Sequence, residues 1–212
     1  MAVFISRNLK ADSPLLAWGR ARGISVHGHS FLRFEAVAFD PPEVADWWFF
    51  YSSRAVQFAA ASVPKNTKTA AIGSGTAQAL LDRALTVDFC GAGSPAVVAD
   101  DFLAVSAGRR VFFPRARQSR LSVQKKLADR ATVLDAVCYD NVPVPPPGPI
   151  DADAYIFTSP LNVAAYLDHF HLRSGARVLA IGPSTGAALR ERGYSCEWPA
   201  VASETALVDL LR

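Results

Sequence analysis

The chain has 212 residues, half of them hydrophobic and 19% charged, with a net charge of +3 at pH 7. Thirteen phenylalanines and four tryptophans can bury enough apolar surface to offset chain entropy, which excludes disorder and allows one large domain or two small ones. So mild a charge argues against a nucleic-acid partner, and no apolar run approaches a bilayer span. The opening Met-Ala-Val-Phe-Ile-Ser-Arg reads as no export signal, and Cys90, Cys138 and Cys196 lack the number and spacing of a disulfide framework or zinc knuckle. A cytoplasmic protein is expected.

Short apolar runs alternate with helical patterns along the chain. Residues 3–5 read as a buried strand. Ser13-Pro14 then supplies an N-cap and a first-turn proline, Leu15, Leu16, Trp18 and Ala21 form an apolar stripe, and Gly23 stops the helix. Residues 26–31 read as a strand, and 31–39 stay extended until Asp40-Pro41-Pro42. Strand 47–51 leads into helix 54–61, and strand 69–72 into helix 76–83. After a strand candidate at 87–90, Ser94-Pro95 caps a helix that runs to Ser106 and ends by Gly108. Strand 111–113 precedes a helix at 120–129, and 133–139 is a further strand. Residues 142–149, Val-Pro-Val-Pro-Pro-Pro-Gly-Pro, form an extended, stiff connector. Beyond it, 154–157 leads into 161–170, 178–181 leads into 185–192 before Gly193, and 195–198 is a last strand candidate. This alternation means α/β with parallel sheets, whose ligands gather at the carboxyl ends of strands.

The chain repeats itself. Phe50-Tyr51-Ser52-Ser53-Arg54-Ala55-Val56 aligns without gaps on Phe157-Thr158-Ser159-Pro160-Leu161-Asn162-Val163. Residues 71–80 match residues 180–189 at six of ten positions, in nearly the same register. Each repeated piece is a strand, then Gly or a small hydroxylic residue, then a helix start. Such a terminus offers free N–H groups and a hydroxyl to an anion, although Ser and Thr also serve there as plain N-caps. None of the four is a G-x-G-x-x-G fingerprint or a phosphate loop, so no nucleotide cofactor is expected.

Other constellations are weaker. His27 and His29, and His169 and His171, share the spacing of a chelating pair, but no Cys or carboxylate completes a ligand set, so no metal is expected. No His sits in a G-x-S-x-G context, so a hydrolase triad has no anchor. Asp100 and Asp101 are expected to face water. The basic stretch Arg109, Arg110, Arg115, Arg117, Arg120, Lys125, Lys126 and Arg130 is either a solvated helix face or an anion-facing surface.

Taken together, Ile-Phe-Thr-Ser-Pro at 156–160, Val-Leu-Ala-Ile-Gly-Pro-Ser-Thr at 178–185 and Arg-Glu-Arg-Gly at 190–193 resemble uroporphyrinogen-III synthases. So do the copies at 50–56 and 71–76, the strand into Arg115, and Ile5-Ser6-Arg7 near the start. No single motif is specific; their joint occurrence in register across the chain is. The resemblance implies two similar three-layer α/β domains with mainly parallel sheets, joined by a two-stranded extended linker with the active-site cleft between them. Domain one would comprise 1–33 and 147–212, domain two 38–141, and the linker strands 30–38 and 140–148.

The resemblance also implies a cofactor-independent lyase of haem biosynthesis. It would cyclise hydroxymethylbilane, a linear tetrapyrrole with eight carboxylates, losing water and inverting ring D through a spiro intermediate. The substrate's azafulvene closes unaided without inversion, so the enzyme's task is to hold one conformer, which needs few acid–base groups. Carried over by position, Arg7, Ser52, Ser53, Arg54, Gly73, Ser74, Thr76 and Arg115 would bind substrate, as would Ser159, Pro160, Asn162, Gly182, Ser184 and Thr185. Gly73 and Gly182 would let the backbone approach the carboxylates, and valine there would block that approach and disturb the turn.

Thr158 occupies the slot where some members carry a tyrosine that assists the leaving group, so it is the candidate catalytic residue; Tyr51 holds the matching slot of the other copy. The chain departs from the family at Ser53, where proline is usual, and at Phe89-Cys90-Gly91-Ala92-Gly93. The expected state is a monomer that receives substrate by transient hand-over from the preceding enzyme, with no nucleic-acid or membrane partner. The alternative is a non-catalytic two-domain hinge protein, or a degenerate homologue, binding a small acidic ligand.

Overall fold

In the computed structural model, which describes residues 1–212, the chain divides into unit one, Met1–Arg33 with Val142–Arg212, and unit two, Phe34–Asn141. Unit one opens with β1 (Ala2–Ile5), α1 (Pro14–Arg22) and β2 (Ser25–Gly28). Strand β3 (Leu32–Ala36) carries the chain into unit two, which adds β4 (Trp47–Phe50), α2 (Ser53–Ala59), a 3-10 turn over Ala60–Ser62, β5 (Lys68–Ala71) and α3 (Ser74–Leu81). Next come β6 (Phe89–Cys90), α4 (Pro95–Ser106), β7 (Arg110–Ala116), α5 (Ser122–Leu127) and β8 (Thr132–Pro143). Unit one is completed by β9 (Ala154–Phe157), α6 (Pro160–Leu167), β10 (Arg177–Ala180), α7 (Pro183–Arg190) and α8 (Glu204–Leu211).

Local chemistry sets most boundaries. Ser13, Ser52, Ser94, Ser159 and Ser203 each cap a helix, their hydroxyls accepting an N–H of the first turn. Gly23, at φ 65°, takes the left-handed position that ends α1 and donates its N–H to Arg20 O. The repeat is visible in the backbone. Ser52 and Ser159 share φ −162° and ψ 156°, and Gly73 and Gly182, preceding α3 and α7, sit at φ −176° and −178°.

Unit one holds a sheet in the order β10-β9-β1-β2, parallel throughout; unit two contributes β3-β8-β7-β4-β5-β6, parallel from β8 to β6. Central strands of such sheets are buried on both faces, hence the unbroken apolar run Trp47–Phe50. Its side chains alternate. Trp48 and Phe50 join the core beneath α2 and α3, while Trp47 and Phe49 join the core beneath α4 and α5. In unit one Val3 and Ile5 face α1 and α8, while Phe4, Tyr155 and Phe157 face α6 and α7. Each such side chain, fully buried, contributes about 1.5–3 kcal/mol. Both units are therefore three-layer α/β sandwiches.

Three sequence expectations change. The strand expected over 26–31 ends at Gly28, because Asn8 Oδ1 takes the Ser30 N–H and Asn162 Oδ1 the Phe31 N–H, removing donors a ladder would need. The strand expected at 195–198 is one bridge, Glu197 to Leu179, and Pro199, which lacks an N–H, stops it. The helix expected over 120–129 is shorter, so of the basic stretch only Lys125 and Lys126 lie on it.

Glycine placement gives a stability test. A Cβ on buried Gly91 would press into Val98 and sit 2.8 Å from the Ile72 carbonyl oxygen, whereas one on Gly75 in α3 meets nothing within 4 Å. Gly91→Ala should cost about 1–3 kcal/mol by overpacking. Gly75→Ala should add up to about 1 kcal/mol through helix propensity. Urea midpoints of the two variants check both signs.

Candidate functional site

The winding of each sheet locates a crevice. Counting the parallel strands of unit two in chain order, the sheet reads 3-2-1-4-5, so the winding reverses between β4 and β7. The chain leaves β4 toward α2 on one face and β7 toward α5 on the other. In unit one the reversal lies between β1 and β9, with α1 and α6 on opposite faces. Ligands of open α/β sheets bind where connections part in this way, outside the strands' carboxyl ends.

In unit two the reversal is open. A pocket of about 170 Å³ is lined by Tyr51 and Ser52 after β4, Arg115 at the end of β7, Ser119 and Arg120 in the next loop, and Tyr139 of β8. The two tyrosines arrive from opposite faces. Tyr51 packs its ring 5.5 Å from Phe49 and 5.6 Å from Phe113, and its Oη accepts the N–H groups of Val123 and Gln124, both at 3.1 Å. Having accepted twice, the phenol has its own proton left to give. Tyr139 reaches the pocket through a break in strand register, where Arg115 faces Val137 but Ala116 faces Tyr139. Such a bulge re-aims a side chain, and here both Cys138 and Tyr139 turn into the α2 side core. Tyr139 Oη lies 3.2 Å from Ser52 Oγ, which also accepts the Ala55 N–H.

The pocket's electrostatics favour donors. Burial pushes the acidities of Tyr51 and Tyr139 further above neutrality, outweighing the hydrogen bonds that act the other way, so both phenols stay protonated near pH 7. The Arg115 Nε donates to Asp135 Oδ1 at 2.9 Å, and Gln124 Nε2 holds the other oxygen of that carboxylate at 2.9 Å. Arg120 is exposed and pairs with no carboxylate, and no carboxylate lines the pocket. Leu121, at φ 55°, holds a left-handed turn that a branched side chain rarely adopts, with its N–H on Ser119 Oγ.

Unit one closes its reversal. Ser6, fully buried after β1, accepts the Thr158 N–H on Oγ at 2.9 Å, and Thr158 Oγ1 donates to Ser6 O at 2.8 Å. The Ser6 N–H in turn goes to Ile156 O. The hydroxyl of Thr158 is thus committed to the backbone of the neighbouring strand. Ser159 caps α6, and Asn162, 3% exposed, bridges its own cap to the Phe31 N–H at 2.8 Å.

The remaining expected residues are dispersed. Of that set, Ser52 and Arg115 line the unit-two pocket together, while exposed Ser53 and half-buried Arg54 stand on α2, Arg54 lying 4.1 Å over the Phe34 ring and donating to Gln57. Gly73 and exposed Ser74 begin α3; Gly182, exposed Pro183 and exposed Ser184 begin α7. Exposed Pro160 begins α6, and Thr76 and Thr185 are buried under their helices. Arg7 lies in unit one on Glu204 at 3.3 Å. One reason given for the glycines is overturned. Both have extended backbone that any residue adopts, and a Cβ on Gly182 would meet nothing, so valine there would not disturb a turn.

Three of the eight residues of the basic stretch are ion-paired, Arg115 with Asp135, Arg117 with Asp140 and Lys126 with Asp100. Sequence reasoning missed Tyr139, Ser119 and Ser122 as pocket residues and noted Arg120 only as part of that stretch. A bulge leaves no mark in apolar alternation, so nothing pointed to Tyr139.

A family model described as uroporphyrinogen-III synthase HemD matches residues 17–209. No curated protein sequence matches the chain. Among solved structures, a uroporphyrinogen-III synthetase from Helicobacter pylori superposes with a TM-score of 0.73 at 17% identity, over 99% of this chain and 97% of that one. A mutant uroporphyrinogen III synthase from Thermus thermophilus gives a TM-score of 0.54 at 17% identity, over 100% and 98%. At such identities these two show the shared fold.

Asn162 offers a check on how its residue type is used. Asn162→Ala would strand the buried Phe31 N–H, and should lower stability by about 1–3 kcal/mol in denaturant unfolding. A variant as stable as the parent would free Asn162 for a role toward ligand instead.

Proposed function

The chain belongs to the uroporphyrinogen-III synthase family, whose members are cofactor-independent cyclising lyases, and on that premise we propose how its residues serve the reaction. The substrate is hydroxymethylbilane, and the product is the macrocycle with ring D inverted and one water released. The observation that carries the proposal is the open winding reversal of unit two, where hydroxyl and guanidinium donors converge and no carboxylate lines the wall.

Ser52 and Arg115 engage a substrate carboxylate there. The helix starts at Ser53-Arg54, Gly73-Ser74, Ser159-Pro160 and Gly182-Ser184 meet other carboxylates through free backbone N–H groups and exposed hydroxyls, with Thr76, Asn162 and Thr185 buried behind them, and Arg7 adds a cation in unit one. Eight carboxylates held at several points leave the flexible bilane few conformers, and the one that closes with inversion is selected by position. Protonated donors of this kind suit the work, because they hold anions without supplying a base that would speed the uninverted closure.

Thr158 holds the position to which the family resemblance assigns a leaving-group donor. Its proton already goes to the Ser6 carbonyl. Acid catalysis would first have to break that bond, so the reading favoured here is that Thr158 holds the β1 and β9 loops together. The enzyme is proposed to act as a monomer in the cytoplasm, taking substrate directly from the enzyme that makes it. No helix is long and apolar enough to cross a membrane.

Two measurements test the reading. Enzymatically made hydroxymethylbilane, incubated with the protein and oxidised, should yield isomer III on chromatographic separation; isomer I alone would overturn the assignment. Thr158→Ala should still give isomer III with less than about a tenfold loss of kcat, whereas removal of a true general acid costs about 10²–10⁴-fold. A loss of that size in a folded variant would return proton transfer to Thr158.

A further inference from the structure

The two units share a repeat but treat their winding reversals differently. Unit one seals its reversal with Ser6 and Thr158, which satisfy each other's polar groups. Unit two leaves the same place open and surrounds it with donors. We propose that the unit-two crevice is an anchoring subsite for a single carboxylate arm of the substrate, with Tyr51 and Arg120 as its binding residues beside Arg115. This rests on the synthase reading above and narrows it to one subsite in one unit.

Three observations carry it. The crevice, about 170 Å³, admits a carboxymethyl or carboxyethyl arm but not a pyrrole macrocycle. Tyr51 Oη accepts from Val123 and Gln124, so its proton is directed to a third partner, and its side chain lines the crevice. Of the basic stretch only Arg115 and Arg120 line the crevice, and of these two Arg115 is paired with Asp135 while Arg120 has no carboxylate of its own. An anionic oxygen in the crevice would complete both unmatched donors, and Arg115 would offer the same anion the N–H groups left over from Asp135 and the Ala116 carbonyl. A phosphate ester or sulfate arm meets the same donors, but the tetrapyrrole substrate carries only carboxylates.

The test uses the full-length protein, with uroporphyrin III, a stable octacarboxylate, as the binding probe followed by its fluorescence. Arg120→Gln is the principal variant, because the residue is exposed and unpaired. Tyr51→Phe keeps the ring against Phe49 and Phe113, and its fold is checked by circular dichroism. Arg83→Gln removes an exposed arginine of the same unit outside the crevice. Arg120→Gln and folded Tyr51→Phe should each weaken the probe's Kd and raise the KM for hydroxymethylbilane by about three- to tenfold, as loss of one partly solvent-screened hydrogen bond does. Their kcat should stay within about twofold, isomer III should remain the product, and Arg83→Gln should match the parent. Parental Kd in Arg120→Gln overturns the subsite, whichever isomer the parent makes, and so does an equal loss in Arg83→Gln. Isomer I alone from the parent overturns the reaction instead, so the two failures are distinct.

Discussion

A parallel sheet covered on both faces must somewhere reverse the direction in which it is wound, and at that point the chain leaves two adjacent strands for opposite sides. No helix covers the gap between their carboxyl ends. Both units of this protein meet that constraint in the middle of their sheets, at β1 and β9 and at β4 and β7. One answer is to fill the gap with backbone-directed hydroxyls, as Ser6 and Thr158 do. The other is to leave it open and line it with donors, as Tyr51, Ser52 and Arg115 do. The strand-end residues that a sequence repeat brings into equivalent positions therefore have unequal duties.

How much of this the sequence disclosed follows from the range of each interaction. Helix starts were legible because a serine cap and the proline after it act within three residues, as at Ser13-Pro14, Ser94-Pro95 and Ser159-Pro160. The sheet class was legible because a run such as Trp47–Phe50, apolar on both faces, suits only a strand covered from both sides. The break after Gly28 was hidden, since it depends on Asn162, a residue 131 positions from the N–H it captures. Asn162 itself was expected to meet substrate, because a polar residue at a helix start looks the same whether it faces a ligand or the interior. The pocket was half legible. Ser52 and Arg115 follow from strand ends, but Tyr139 depends on a bulge and Arg120 on the absence of an acid, and neither condition is written locally.

The chemistry of the open crevice bears on why a reactive substrate is handled without a cofactor. Tyr51 and Tyr139 are held protonated by burial, and the Asp135 carboxylate is tied to Arg115 and Gln124. A wall of this kind presents donors and no free carboxylate base. Its geometry is fixed by aromatic packing, with Tyr51 against Phe113 and Tyr139 stacked 5.3 Å from Phe58, so its donors need little rearrangement to meet a ligand. Rigid donors around a flexible ligand are what conformational selection of one closure demands.

The discontinuity of unit one also has a temporal side. Val3 pairs with Ala154, so the central strand of that sheet waits for a partner made some 150 residues later, while unit two is contiguous from Phe34 to Asn141. On a ribosome the second unit is whole while the first is still half a sheet, with the apolar strand Val3-Phe4-Ile5 open along one edge. An unpaired edge of that kind invites chaperones or wrong partners. The arrival of β9 ends the exposure of that edge, and the Ser6–Thr158 clasp that shuts the crevice of unit one is then also the latch that fastens the late strand to the early one.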